Sequence, residues 1–129
     1  MFTGIVRDRY QVTSVERLGA FCRVEIYLDK QLLTTLERGS SVAVDGVCLT
    51  VTDLKETSAL FDIMQETLRV TTLNDIAIGR MVNVESSLST QRDISGHIVS
   101  GHIDTTATIT AIERPDENNC TVTFAIDPK

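Results

Sequence analysis

Hydrophobic and polar residues alternate over most of the chain, which is the spacing of strands that bury one face. The alternation is clear at Val24, Ile26 and Leu28, where more polar residues stand between the hydrophobic ones. Turn-forming residues such as Asp45-Gly46 separate the runs. Similar short runs occur at Val12/Ser14/Glu16, Val42/Val44, Leu49/Val51, Leu60/Asp62 and Val82/Val84. Many short strands joined by tight turns predict an all-β chain with a small six-stranded, antiparallel, Greek-key-like barrel.

Two segments break this alternation and predict one or two short helices. Residues 29–38 begin with Asp29, a suitable N-cap, and are followed by Gly39, a suitable stop. Within that segment, the residues at helical spacing are Leu32, Leu33 and Leu36. Residues 67–73 are expected to form a second short helical turn.

The chain contains an internal similarity that defines its predicted organisation. Gly4–Arg17 aligns with Gly101–Arg114 at an offset of 97, and the following strand aligns after one inserted residue. We interpret residues 1–96 as one complete barrel and residues 97–129 as a connector plus the first two strands of a second, incomplete copy. A lone hairpin is at best marginally stable. Residues 103–126 are therefore expected to dock on the barrel, exchange with a neighbour or be loosely ordered.

Composition and charge exclude several classes of function. Thr, Val and Ile form about a third of the chain, which favours strands. The net charge of -6 and the absence of Trp argue against nucleic-acid binding. We expect no membrane association and a cytoplasmic location, because no long apolar run or signal-peptide pattern is present. Three cysteines and two histidines, without metal-ligand spacing, predict neither a disulfide framework nor a metal site.

Five segments in order carry a family resemblance. They are MFTGIV (1–6), DGVCLTV (45–51), FDIMQETL (61–68), VNVE (82–85) and SGHIVSGH (95–102). Together they resemble riboflavin synthase of the α-chain type, a family of lumazine-binding barrels. The resemblance implies a cofactor-free dismutation of two 6,7-dimethyl-8-ribityllumazine molecules to riboflavin and 5-amino-6-(ribitylamino)uracil. It also implies a site shared between two barrels of a homotrimer, and a dimer is an alternative for so short a chain.

The resemblance also implies roles for individual residues. The implied catalytic residues are Cys48, Ser41, His97 and His102. The implied substrate-binding residues are Gly4, Ile5, Val6, Cys48, Leu49, Thr50, Asp62, Ile63, Met64, Gln65, Glu66, Thr67, Gly101, His102 and Ile103. A flat pteridine is expected at the barrel mouth around Cys48, beside the connector that carries Gly101 and His102.

Each role has a simpler structural alternative. Cys48 could be an inert buried thiol, although its spacing places it on the same strand face as Thr50. Glu66 and Thr67 also suit the start of a helix. The two histidines could be hydrophilic loop residues, and Phe2 could cover the ligand or anchor the N-terminus. Four residues are interpreted as solvated charges without a role: Arg69, Arg80, Arg92 and Glu85.

Two further functions remain open at this stage. One is a flavin- or lumazine-binding module without catalysis, which the incomplete second copy favours. The other is a barrel used only for protein contact. Retention of Cys48 and the Ser-Gly-His repeats favours the enzyme over both.

Overall fold

The computed structural model describes residues 1–88 and 96–127. Six strands close into an antiparallel barrel in the order β1-β2-β5-β4-β3-β6. Their bounds are β1 Asp8–Arg17, β2 Phe21–Tyr27, β3 Ser41–Val44, β4 Val47–Leu54, β5 Ser58–Met64 and β6 Met81–Ser86. The predicted six-stranded barrel is thus confirmed. Among the described residues, none of the helices combines the length and apolar character needed for a membrane crossing.

The barrel interior is filled by side chains from every strand. Phe61, Ile26 and Val44 are fully buried there. On β5 the inward residues are Ala59, Phe61 and Ile63. The alternation is therefore one residue out of phase with the predicted Leu60/Asp62 pair. The barrel interior is thus filled by the chain's own side chains.

A β-bulge changes the alternation in β1. Val12 pairs with Ile26, whereas Ser14 pairs with Glu25, so Thr13 is the extra residue. Val12 and Val15 consequently both pack towards the core although they are three residues apart. The strict alternation predicted for Val12, Ser14 and Glu16 is wrong for this reason.

Two short helices and one 3-10 turn interrupt the strands. Helix α1 spans Lys30–Leu33, and the carboxylate of Asp29 accepts a hydrogen bond from the Leu32 amide at 2.7 Å. The predicted N-cap is confirmed, but the helix is shorter than predicted. Hydroxyls of Thr34 and Thr35 bond back to carbonyls of the helix, a local competition that favours ending it. Helix α2 spans Gln65–Val70, and a 3-10 turn follows at Thr72–Asp75.

The last two strands form a separate two-stranded sheet. They are β7 Thr108–Glu113 and β8 Thr121–Ala125, and every residue in them is exposed. Their register copies that of β1 and β2, since Ile109 pairs with Phe124 and a bulge follows before Ala111. The predicted domain boundary near residue 96 adjoins residues 89–95. These residues, which include Arg92 and Ser95 of the fifth segment, lie outside the described residues.

Candidate ligand-binding site

The connector after residue 96 packs on the outer face of the barrel beside Cys48. The amide of Cys48 donates to the carbonyl of Gly101 at 2.8 Å. Pairing between β4 and β5 begins only at Val51, so the connector satisfies a part of β4 that β5 does not reach. The predicted juxtaposition of the thiol-bearing strand and the Gly-His connector is present in the structure.

Gly101 makes this close approach sterically possible. Its φ of +77° lies in the left-handed region, where a side chain is strained. A Cβ atom at this position would lie 2.9 Å from the Cys48 Cβ and 3.0 Å from the Phe2 ring. Glycine is therefore needed both for the backbone conformation and for the space between the connector and β4.

The N-terminal segment lies along the connector and holds it in place. Phe2 and Val99 exchange two backbone hydrogen bonds of 2.8 and 3.0 Å, and the His97 amide donates to the Thr3 carbonyl at 3.0 Å. The Phe2 side chain is fully buried. Phe2 is therefore a structural anchor that also packs next to Gly101.

A cleft of about 340 Å³ opens between β4, α2 and the connector. Cys48 borders the cleft from β4. Thr67 and Arg69 border it from the helix, and His102 and Ile103 border it from the connector. The volume falls within the usual range for small-molecule sites. Hydroxyl, thiol, imidazole and backbone groups together provide both polar contacts and an apolar surface for a flat ring.

A smaller cavity of about 80 Å³ lies on the other side of Gly101. Of the predicted site residues, Gly4, Val6 and Gly101 line it. Ala43 and Glu85 complete its wall. The connector thus separates two hollows on the same outer face of the barrel. Some predicted residues border one or both of them, whereas others, such as Ser41, Thr50 and Asp62, border neither.

The residues predicted on β3 and β4 separate by strand face. Cys48 is half-buried and Thr50 is exposed, and both are on the outer face, as their spacing predicts. Ser41 is the cross-strand partner of Thr50. Leu49 faces the barrel interior and is buried, so it contributes only backbone to the outer surface.

The residues predicted between β5 and α2 have different environments. Asp62 forms a bidentate ion pair with Arg23, with distances of 2.8 and 2.9 Å, on the outer surface between β2 and β5. Ile63 is fully buried, and Met64 is exposed. Further along, the Gln65 side chain donates to the Gly19 carbonyl.

Only the helical part of this segment borders the larger cleft. Glu66 bonds to Arg69 at 2.8 Å, and this hydrogen bond lowers the pKa of the Glu66 carboxyl. Thr67 lies in the first turn of α2 and borders the cleft beside this ion pair. Glu66 and Thr67 therefore lie at the start of the helix, as the simpler alternative predicts, and they also border the cleft.

The two histidines are not equivalent. His102 borders the cleft with Cys48, and its amide donates to the Ser100 hydroxyl at 3.1 Å. His97 is exposed and is attached through its backbone to Thr3, and it borders neither the 340 Å³ cleft nor the 80 Å³ cavity. Ile5 is likewise exposed, at 53%. Within the described residues, His, Cys, Asp and Glu side chains do not gather in groups of three or more that could hold a metal ion.

Two charged residues, Glu85 and Arg80, are less solvated than predicted, whereas the side chain of Arg69 is 70% exposed, as predicted. Glu85 is only 9% exposed and accepts two hydrogen bonds from Thr3. Arg80 forms an ion pair with Asp45 at 2.9 Å, and Arg69 borders the cleft. The burial of Glu85 depends on a segment 82 residues away, so no local pattern could indicate it.

Other cleft residues were also absent from the sequence prediction. They are Val47, Val70, Thr71 and Asp104. Val47 and Asp104 lie directly beside predicted residues, so widening each predicted segment by one position would have included them. Val70 and Thr71 lie at the end of α2 and follow only from where the helix packs.

Comparison with known proteins places this geometry in a family context. Residues 3–87 match the family model described as lumazine binding domain. The chain is 41% identical over 126 residues to riboflavin synthase of Escherichia coli strain K12, covering 98% of this chain and 59% of that protein. It is 41% identical over 113 residues to riboflavin synthase of Bacillus subtilis strain 168, covering 88% and 52%. The chain thus spans a little over half the length of these relatives.

Solved structures show a similar fold. The crystal structure of LumP complexed with riboflavin superposes with a TM-score of 0.84 at 26% identity, covering 98% of this chain and 68% of that one. LumP complexed with 6,7-dimethyl-8-(1'-D-ribityl) lumazine gives a TM-score of 0.85 at 26% identity, covering 98% and 69%.

Proposed function

The chain belongs to the lumazine-binding domain family, and from that premise we propose that its cleft beside Cys48 binds a ribitylated pteridine or flavin. The observation that carries the proposal is the convergence of Cys48, Thr67 and His102 on one cleft of about 340 Å³. These residues come from three separate segments of the resemblance. A flat ring with polar edges suits a cleft that offers backbone groups and hydroxyls at its border.

We further propose that the protein of which this chain forms part is a riboflavin synthase. In that reaction two 6,7-dimethyl-8-ribityllumazine molecules exchange a four-carbon unit, so that one becomes riboflavin and the other becomes 5-amino-6-(ribitylamino)uracil. Both reactants are the same compound, so the four-carbon unit needs no cofactor as its source. The identity of 41% to synthases from two distantly related bacteria supports this choice.

The chemistry assigns distinct tasks to the cleft residues. The methyl group at C7 of the lumazine must lose a proton, and the ring must be held while the resulting charge spreads into it. His102 borders the cleft, and imidazole is suited to proton transfer near neutral pH. Cys48, which borders the cleft, is proposed to contact the ring. Ser41 and its cross-strand partner Thr50 lie outside the cleft lining on the outer face of β3 and β4 and are proposed to contact the ribityl chain.

The reaction needs two pteridines facing each other, whereas the cleft is an open hollow on one barrel. We therefore propose that a second barrel covers the cleft, either in a homo-oligomer or from another part of the protein. Ile103 borders the cleft and Val6 borders the smaller cavity; both are exposed apolar residues that would be covered in such an arrangement. A cytoplasmic location agrees with a role in cofactor biosynthesis.

Turnover and binding of this chain can be measured separately. Incubation with 6,7-dimethyl-8-ribityllumazine should release riboflavin, followed by its absorbance, and riboflavin itself should lose fluorescence when it binds. Binding without turnover, even at concentrations that favour association, would favour the non-catalytic module. Absence of both would leave a barrel for protein contact and would refute the proposed site.

Two matched pairs of substitutions test whether the cleft is the riboflavin-binding site. His102→Ala should weaken riboflavin binding and His97→Ala should not, because only His102 borders the cleft. Cys48→Ala should weaken binding, whereas Cys120→Ala should have no effect, because Cys120 is exposed in the turn between β7 and β8. Equal effects within either pair would contradict the assignment of the cleft.

A further inference from the structure

Glu85 is a buried carboxylate on an otherwise exposed strand face. Its neighbours on the outer face of β6, Met81 and Asn83, are exposed, yet Glu85 is only 9% exposed. The N-terminal segment covers it. Its Oε1 atom accepts hydrogen bonds from both the amide of Thr3 at 2.6 Å and the hydroxyl of Thr3 at 2.8 Å.

From Thr3 a continuous series of contacts leads to Cys48. The Thr3 carbonyl accepts from the connector at His97, and Phe2 pairs with Val99 two residues later. The Gly101 carbonyl then accepts from the Cys48 amide. Each of these contacts is a backbone hydrogen bond of 2.8 to 3.0 Å. A shift of Thr3 would therefore shift the connector as well.

Strand register places the two ends of this series close together. Glu85 pairs with Ala43, and Ala43 pairs with Cys48, so the three residues form a row across β6, β3 and β4. Neighbouring strands are about 4.8 Å apart, so Glu85 and Cys48 are separated by roughly 10 Å. The small side chain of Ala43 leaves room above the row, where Phe2 and Gly101 line the 80 Å³ cavity.

We infer that Glu85 is a positioning residue that fixes the N-terminal segment and, through it, the connector that carries Gly101 and His102 beside Cys48. It acts from the smaller cavity and does not border the larger cleft. The expected effect of Glu85 on ligand binding rests on the proposed function of that cleft. The expected effect of Glu85 on the position of the connector is independent of that function.

The chemistry of the contact supports this role. Hydrogen bonds to a charged acceptor are stronger than neutral ones, and both bonds here end on one residue of the segment. Glu85 is outside the hydrophobic core cluster, and β6 is held by its backbone pairing with β1 and β3. Loss of the carboxylate should therefore release the segment and the connector while the barrel remains closed.

Amide hydrogen exchange followed by NMR tests this in the absence of any ligand. In Glu85→Ala, exchange of the Cys48 and Val99 amides should accelerate roughly tenfold to a hundredfold, the range expected for loss of charge-assisted hydrogen bonds. Amides in the barrel ladder, such as those of Val24 and Phe61, should keep their rates. Acceleration of all amides together, or of none, would overturn the positioning role.

Two further variants separate positioning from a general loss of stability. Glu85→Gln removes the charge but keeps an oxygen that can accept both bonds, so it should restore part of the protection at Cys48 and exchange more slowly than Glu85→Ala. Glu56→Ala removes an exposed carboxylate in the turn between β4 and β5 and should leave every rate unchanged. If Glu85→Gln behaves like Glu85→Ala, the two hydrogen bonds are not the cause and the inference is wrong.

Riboflavin binding then connects the residue to the site. The dissociation constant should rise about tenfold or more in Glu85→Ala and should rise clearly less in Glu85→Gln. An unchanged dissociation constant in Glu85→Ala would overturn the role at the cleft. Failure of the unaltered chain to bind riboflavin would instead refute the proposed function, while the exchange rates would still decide whether Glu85 positions the connector.

Discussion

Replacing Gly101 by alanine should disable the cleft while leaving the barrel folded. The added Cβ would lie 2.9 Å from the Cys48 Cβ, 3.0 Å from the Phe2 ring and 3.1 Å from the Cys48 amide nitrogen. Two of these three atoms belong to β4 at its backbone or Cβ, where they cannot move without distorting the barrel. The connector must therefore move away from β4.

The magnitude follows from two contributions. Alanine in the left-handed region is less favourable than glycine by about 1 to 2 kcal/mol. Moving the connector also breaks the bond between the Cys48 amide and the Gly101 carbonyl, which is worth about 1 kcal/mol. Together they disfavour the docked connector by roughly 2 to 3 kcal/mol, which corresponds to a loss of riboflavin affinity of roughly 30- to 150-fold.

Gly79→Ala is the matched control because it isolates the backbone contribution. Gly79 has a φ of +86°, close to the +77° of Gly101, but a Cβ there meets no atom within 4 Å. The amide of Gly79 is bonded to Val12 in the barrel, so strain at this turn should lower the free energy of unfolding by about 1 to 2 kcal/mol. Riboflavin affinity should remain unchanged.

The two variants should thus give opposite patterns in two assays. Gly101→Ala should lose fluorescence quenching of riboflavin and keep its urea midpoint, because the connector packs on the outside of the barrel. Gly79→Ala should lose some stability and keep its quenching. If Gly101→Ala binds riboflavin as tightly as the unaltered chain, the connector does not form one wall of the ligand site.

Three other predictions test the ionisable groups and the hairpins. Burial and then the hydrogen bond to Asp29 raise the pKa of Tyr10 from 10.0 to about 12, so its contribution to stability is intact below pH 10 and is lost as the pH rises towards 12. Tyr10→Phe should remove this alkaline loss in urea unfolding, and an unchanged slope would contradict it. Asp62→Asn should lower the free energy of unfolding by about 0.5 to 1 kcal/mol, because the Asp62 carboxylate is held in an ion pair. Riboflavin affinity should not change, and weaker binding would show that Asp62 contacts the ligand. Ile26→Ala should lower the free energy of unfolding by about 2 to 4 kcal/mol. Phe124 is the register equivalent of Ile26 in the β7–β8 hairpin and is 57% exposed, so Phe124→Ala should change the urea midpoint little. Similar losses in both variants would show that the β7–β8 hairpin unfolds together with the barrel.

The barrel could be predicted from the sequence because its determinants are local. Alternation in β2 and β3 assigns inward and outward residues directly, and Asp29 marks the start of α1 through its own side chain. The predicted inward and outward positions were wrong where the alternation of the strand is shifted by one residue. Thr13 is such a residue in β1, and the inward series on β5 starts at Ala59 rather than Leu60.

The candidate site was predictable only in part because it is assembled from distant segments. The five family segments identified Cys48, Thr67 and His102, which meet at the cleft. The same segments included Asp62, whose carboxylate bonds to Arg23 instead. Which residue of a motif borders the cleft depends on the strand face and on the path of the connector. Neither can be predicted from the amino-acid sequence of the motif alone.

The two hairpins show which properties of a strand pair are local and which are not. Val12 and Ile109 occupy the same register position, each followed by a bulge, yet Val12 is fully buried and Ile109 is 54% exposed. The shared pattern therefore specifies pairing, register and bulge without any partner. Burial of the apolar face is added by β5 and β6, which flank β1 and β2 and have no counterpart beside β7 and β8 in the described residues. A hydrophobic pattern indicates which face of a strand can be buried, whereas membership of the core requires the neighbouring strands that cover it.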